Sequence, residues 1–377
     1  MNLQKRSSIP LTDYMFHKAG IGKIPLSGTF ELTPLCNFAC RMCYVRKTAE
    51  DVKNSPRPML TLNQWMKIAE ETYEAGTLYL LLTGGEPTLL PEFWKFYEKL
   101  VQMGFLVSIN TNGSRLDAQA IELLKALPPR RINITLYGAN DTTYERLCGV
   151  SGVFSKVEKA ICLLKNAGIQ VKLNCSLTPY NVCDLEQIIR FARDQELILD
   201  IASYMFPPIR RDISMIGKNE RFTPQEAAWY RMKAYHLQNG DEKYREFLQS
   251  ILQGSVVPPG LDENCMDPVD GQIRCRAGKA SYWMTWDGWM MTCGMMNSPK
   301  VETRDRPLVE AWNELTTVSS KLALSGICSK CPNLTLCHSC AAMAQTETGD
   351  ISGIPTYLCE VVQEMKRIAK EEMTGFR

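Results

Sequence analysis

The stretch Phe30–Arg46, "FELTPLCNFACRMCYVR", decides how the rest is read. An apolar, β-rich run leads straight into three cysteines, Cys36, Cys40 and Cys43, with the aromatic Tyr44 next to the last. Three thiolates can hold three irons of a four-iron, four-sulfur cluster and leave the fourth iron for an outside ligand. A structural zinc site would look for a fourth Cys or His close by, and the nearest downstream His is far along the chain.

Working outward, residues 28–206 alternate two patterns. Short β-rich runs occur at "GTFELTPL", "TLYLLLTG", "LVSINTNG", "RINITLYG", "VKLNCSLT" and "LDIASYMF". Helical patterns such as "TLNQWMKIAEETYEAG", "LPEFWKFYEKLVQMG" and "VFSKVEKAICLLKNAG" lie between them, and the last two close on glycine as helix C-termini often do. Strands alternating with amphipathic helices predict parallel βαβ units, hence an α/β fold, either a partial barrel or an open sheet. Ligands then sit at the C-terminal strand ends. Cys36 follows the first strand directly, and "GGEP" and "TNG" close the second and third.

Residues 207–255 change character: a polar loop, then "TPQEAAWYRMKAYHL" and "DEKYREFLQSIL", which read as two helices. "GSVVPPG" reads as a linker, placing a boundary near 255, with a cysteine-rich module and a closing helix, "LCEVVQEMKRIAKEEM", over 256–377. Residues 1–27 are left as an N-terminal extension.

The chain has 377 residues, 45% hydrophobic and 22% charged, with a net charge of +2, values of an ordinary soluble protein that give no reason to expect nucleic acid or an anionic membrane as partner. No apolar run approaches a bilayer span and no h-region of a signal peptide is visible, so a cytoplasmic location is expected. Fifteen cysteines in a reducing compartment point to metal or catalysis rather than disulfides. Three sit at 36–43 and eight between 265 and 359; Cys148, Cys162, Cys175 and Cys183 read as small buried hydrophobes.

The spacing Cys-x3-Cys-x2-Cys followed by an aromatic resembles the signature of radical S-adenosylmethionine (radical SAM) enzymes. The resemblance implies a partial (β/α)6 barrel, a cluster at Cys36, Cys40 and Cys43, and SAM chelating its open iron. It further implies reductive cleavage of SAM to a 5′-deoxyadenosyl radical that abstracts hydrogen from a substrate. "LLLTGGEP" resembles the family's GGE motif, which assigns Gly84, Gly85 and Glu86 to SAM's amino group. "NTNG", with Asn110 and Asn112, looks like the turn beside SAM, and Tyr44 lies at the same site. Thr135 matches a small hydroxyl residue that meets the ribose. Relatives often read "SLDG" where this chain has "TLYG", so Tyr137 replaces an acidic residue. Arg146 resembles the arginine that pairs with SAM's carboxylate, and Leu177 and its neighbours are candidates to line the adenine.

The C-terminal cysteines resemble the SPASM extension, an α+β module with two auxiliary four-iron clusters. Two residues rather than three separate Cys337 from Cys340 here. Carried over by position, Cys275, Cys293 and Cys340 serve the first cluster, and Cys328, Cys331, Cys337 and Cys359 the second. Cys265 is the candidate eighth ligand; without it the first cluster would keep an open iron. His338 inside "CHSC" is a ligand or a packed loop residue. Arg210, Arg211 and Asp212 in "FPPIRRD" are candidate substrate contacts. "SYWMTWDGWMMTCGMM" reads as packing around a cluster.

The resemblance therefore implies an oxidoreductase with three [4Fe-4S] clusters, supplied with electrons by a flavodoxin or ferredoxin. Its expected substrate is a ribosomally made peptide or a protein that it oxidises, cross-links or epimerises. The first strand starts near residue 28, leaving no room for an N-terminal peptide-binding domain, so a separate leader-binding adaptor is expected. A small-molecule dehydrogenase and a non-catalytic zinc or iron–sulfur scaffold are the competing readings.

Overall fold

In the computed structural model, which describes residues 10–254, 273 and 275–375, strand pairing follows the alternation of the sequence. Strands β1 (Ser27–Glu31), β2 (Tyr79–Thr83), β3 (Leu106–Thr111), β4 (Arg131–Thr135), β5 (Val171–Ser176) and β6 (Ile198–Ala202) lie parallel in order of sequence. Register fixes which side chains face which way. Phe30, Leu82 and Ile109 stand opposite one another across β1–β3, and Ile132 and Val171 continue the apolar row on β4 and β5. All five are buried, against amphipathic helices such as Leu62–Glu74 and Phe93–Gln102. The other side is polar: Asn110 faces Asn133, Thr135 faces Asn174, and Asn174 faces Asp200. A period of two thus sends greasy residues to the helices and polar ones into the bore.

The row of six does not close. β6 pairs only with β5, while β1 continues on its other side to β7 (Ser281–Met284), which is parallel to it. β8 (Trp289–Met291) and β9 (Lys300–Glu302) then add antiparallel. The fold is α/β, a partial barrel whose sheet runs on without interruption into the C-terminal module. The expected boundary near 255 lies at the edge of the described residues.

The bridging segment forms Pro224–Gln253, opened by a Thr223/Glu226 capping box and broken at Gly240, whose φ of 80° and ψ of 176° are not helical. Two helices result, as the sequence predicts. The closing helix, Thr356–Gly375, packs back on this pair. Residues 27 and below, left without structure by the sequence, include a helix at Leu11–Gly22. Phe16 and Ala19 bury against Leu26 and Ala280, and Asp13 pairs with Arg276 at 3.4 Å. Pro10 caps it without a side-chain hydrogen bond, so no start signal marked it.

Candidate functional site

The loop after β1 is held from two sides. On one, Ala39 N–H bonds to Cys148 O at 2.7 Å and Arg41 N–H to Leu147 O at 3.0 Å. On the other, the Gly-Gly turn zips onto it: Gly85 N–H to Thr33 O at 2.6 Å and Glu86 N–H to Leu35 O at 2.9 Å. A Cβ on Gly84 would stand 2.4 Å from Thr33 O, and one on Gly85 2.2 Å from Leu35 O. Gly84 also has a φ of 153°. These glycines are required because two backbones touch just ahead of Cys36.

The three thiols face one cavity of about 350 Å3 at the C-terminal strand ends. Phe38 N–H points at Cys36 Sγ (3.4 Å) and Arg46 N–H at Cys43 Sγ (3.3 Å). Burial pushes the Cys36 thiol up to about 12 and raises Cys43 as well. Cys40 is lowered, first by a side-chain hydrogen bond with Cys148. Buried thiols disfavour ionisation, and a bound cation's charge is what reverses that. No His, Asp or Glu is among the described residues that line the cavity, so protein donors there stop at the triplet. That arrangement fits a cluster with one coordination position left to a small chelating molecule.

Of the other predicted residues, Tyr44, Gly84, Gly85, Asn110, Asn112 and Thr135 line the same cavity. Asn112 holds its neighbours as well, its amide reaching Asn37 Oδ1 at 2.9 Å. Glu86 does not line the cavity. Its carboxylate is wholly buried and accepts from Thr111 Oγ1 and Asn112 N, each at 2.8 Å, and from Thr88. It latches the end of β2 to the end of β3.

Arg146 stays outside too: it is exposed and its guanidinium reaches Cys183 Sγ at 3.0 Å. The guanidinium whose charge reaches Cys40 is that of Arg46. Leu177 is buried in the core; its neighbours Asn174 and Ser176 line the cavity instead. The alternation of "VKLNCS", polar at every second residue, carried that signal. Arg210 is not a free substrate contact, since its fork grips Glu31 at 2.7 and 2.8 Å and also reaches Gly294 O. Trp283 Nε1 donates to the same carboxylate at 2.9 Å, tying β7 to β1. Arg211 donates to Cys43 O at 3.1 Å, and Asp212 caps a short turn at Ser214. Tyr204, Met205, Phe206 and Met295, which the sequence did not single out, complete the wall.

The C-terminal cysteines gather in two groups. The charge of Cys340, pushed up to about 12 by burial, couples to Cys293 and Cys275. Cys337, pushed up to about 11 by burial, couples to Cys359, Cys328 and Cys331. Cys265 lies outside the described residues. His338 takes a left-handed φ of 53° between Cys337 and Ser339. Among the described residues, no three His, Cys, Asp or Glu side chains are placed to hold a single metal ion.

Residues 30–192 match the Radical SAM superfamily model. A curated relative is the AdoMet-dependent heme synthase of Methanosarcina barkeri, 22% identical over 85% of this chain and 92% of that one. The subtilosin biosynthesis protein AlbA of Bacillus subtilis is 28% identical over 45% of this chain but only 37% of its own length. Among solved structures, anSMEcpe with bound AdoMet superposes with a TM-score of 0.65 at 17% identity, over 93% of this chain and 99% of that chain. The same neighbour has been solved with a Kp18Cys peptide (17% identity, TM-score 0.61, 93% and 99% covered). Residues 30–192 carry a radical SAM domain. Among its described residues, no helix is long and apolar enough to cross a membrane.

Proposed function

We infer that this enzyme oxidises or cross-links a side chain of a peptide or protein, using AdoMet bound beside the Cys36/Cys40/Cys43 triplet. The observation that carries the reading is the cavity itself, with three thiols and, among the described residues that line it, no His, Asp or Glu. When bound there, cluster and AdoMet together supply a carbon-centred radical for hydrogen abstraction. The chain's own residues do the holding. Gly84 and Gly85 bring bare backbone to the cavity, Asn112 and Thr135 offer neutral polar groups, and Glu86 keeps the β2 and β3 ends in register.

For the substrate, the mouth offers Tyr204, Phe206, Met205 and Met295, and no Lys, Arg, Asp or Glu is among the described residues that line the cavity. Such a wall suits an uncharged side chain presented on a polypeptide, in keeping with the bacteriocin-maturing relative and the peptide-bound neighbour. The heme synthase relative favours a small-molecule substrate instead. A molecule bearing several carboxylates would call for cations that this cavity does not present.

The two further cysteine groups are proposed to hold auxiliary four-iron clusters: Cys275, Cys293 and Cys340 with Cys265, and Cys328, Cys331, Cys337 and Cys359. Arg231 supports the second. Its guanidinium is drawn down by burial and opposed by Cys337, and it makes no hydrogen bond or ion pair among the described residues. A guanidinium so placed calls for an anion, and a cluster on four thiolates is one. These clusters would take up the electron left when the substrate radical is quenched, and a flavodoxin or ferredoxin would supply the first. An adaptor for a peptide leader belongs to the same proposal.

Anaerobic purification tests the inventory: brown protein with about twelve irons per chain is expected. A colourless zinc protein would leave only a scaffold. Incubation with a candidate peptide encoded beside the gene tests the substrate. A loss of two hydrogens supports oxidation, an unchanged mass with inverted stereochemistry supports epimerisation, and an unmodified peptide beside a modified small molecule refutes the peptide reading.

A further inference from the structure

A groove of about 460 Å3 lies between the turn after β3 and the helix Phe154–Asn166, and shares no lining residue with the cavity that holds the thiols. Three cations line it: Arg115 on the turn, and Lys156 and Lys159 three residues apart on the helix. All three are exposed, and none of their side chains makes an ion pair or hydrogen bond among the described residues. Lysines on nearby helices are placed differently: Lys95, Lys125 and Lys165 face Glu92, Glu122 and Glu196 at 3.0, 3.4 and 3.5 Å. The one carboxylate among the described residues of the groove, Asp117, caps the helix Ala118–Ala126 by accepting from Ala120 N–H at 2.9 Å. Ser114 joins this groove to the triplet. Its Oγ donates to Asn112 Oδ1 at 2.6 Å and accepts from Asn37 Nδ2 at 2.9 Å, and Asn112 Nδ2 closes the ring on Asn37 Oδ1 at 2.9 Å. The same Asn112 amide lies 3.9 Å from Cys36 Sγ. Ser114 lines the groove while Asn112 and Cys36 line the cavity, so one ring of three side chains is the wall between them. Asn37, next to Cys36 in the chain, is itself exposed.

We propose that the groove of Arg115, Lys156 and Lys159 is the docking surface of an acidic one-electron carrier protein, which delivers its electron to the triplet's metal–sulfur centre across Ser114, Asn37 and Asn112. This rests on the reading that the triplet holds a four-iron cluster. Each transfer oxidises the carrier by one electron and reduces the centre by one, with no proton moved. Unpaired cations around a groove attract an anionic partner and orient it, which raises the encounter rate more than the contact energy. A free anion would meet exposed cations screened by salt, whereas an acidic protein surface covers them. The three hydrogen-bonded side chains keep the crossing from groove to cavity short.

The test uses the anaerobically reconstituted full chain with two reductants, an acidic flavodoxin and the small molecule dithionite. Binding of dye-labelled flavodoxin is read by fluorescence anisotropy at several salt concentrations, and 5′-deoxyadenosine formation is read with each reductant. Lys156→Glu combined with Lys159→Glu should weaken flavodoxin binding about tenfold or more and flatten its salt dependence, the scale of electrostatic steering. Product driven by flavodoxin below saturation should fall alike, while product driven by dithionite should stay as in the unsubstituted chain. Lys321→Glu combined with Lys330→Glu makes the same charge change on the C-terminal module and should leave binding intact. Unchanged binding in the groove variant overturns the proposal, as does an equal loss in the C-terminal pair. So does a matching loss of dithionite-driven product, which would make the two lysines supports of the site. Product with dithionite and no flavodoxin binding to the unsubstituted chain overturns it too. No product from the unsubstituted chain with dithionite overturns the cluster reading, and this proposal with it.

Discussion

At Gly85 a single methyl group would overlap the carbonyl of Leu35, which cannot withdraw without moving the loop that carries Cys36. Gly85→Ala should destabilise the fold by about 2–4 kcal/mol in urea denaturation, the range of backbone strain with no room to relax. Glu86 gives a second prediction. Burial raises its carboxyl above the ordinary value, while bonds from Asn112, Thr88 and Thr111 oppose the rise. The folded state therefore takes up a proton more readily than the unfolded one. Stability should rise as pH falls from the folded value towards 4.5, and Glu86→Gln should flatten that slope in pH-dependent denaturation. At this scale the sequence named the triplet, the glycines, Asn112 and Thr135, and the fold brings all of them to one cavity. It could not tell that Glu86 points under the floor or that Arg146 points to solvent. Direction is set by tertiary partners such as Thr111 and Cys183, which no local pattern names.

The joints between elements rest on ion pairs with different exposure. Arg221 and Glu347, both almost wholly buried, form a bidentate pair joining the loop before the bridging helices to the C-terminal module. Tyr204 donates to the same carboxylate at 2.7 Å, which fixes its ring at the cavity wall. Glu347→Ala should cost about 3–5 kcal/mol by leaving the guanidinium buried alone, and replacing both partners by methionine should recover much of it. Double-mutant denaturation measures this. Arg57 and Glu302, a quarter to a third exposed, tie the segment before the helix Leu62–Glu74 to β9. The Arg57 hydrogen bond holds the Glu302 carboxyl down to about 2. Its contribution is present above 4.5 and lost as pH falls towards 2. Arg57→Ala should remove about 1–2 kcal/mol at neutral pH, discounted for solvent, and flatten the acid limb. The barrel strands and their helices were legible because period-two and amphipathic patterns are local. The helix Leu11–Gly22 was not, for want of a cap, and the continuity of β1 with β7 was not, because some 250 residues of sequence separate Phe30 from Met284.

Across the whole molecule, one sheet carries both the triplet and the C-terminal hairpin, so the barrel mouth and the second cysteine field share a rigid frame. Tyr44 sits where the two meet, its hydroxyl pushed up by burial and by Glu31, within reach of the charges of both Cys43 and Cys293. The central claim is that protein ligands at the N-terminal centre stop at Cys36, Cys40 and Cys43, and that AdoMet takes the place they leave. The most direct measurement is chromatographic detection of 5′-deoxyadenosine after anoxic incubation of the reconstituted chain with AdoMet and dithionite, beside the Cys40→Ala variant. The account predicts product from the unsubstituted chain and none from the variant, with the auxiliary iron retained. Equal product from both, or none from either, would contradict it.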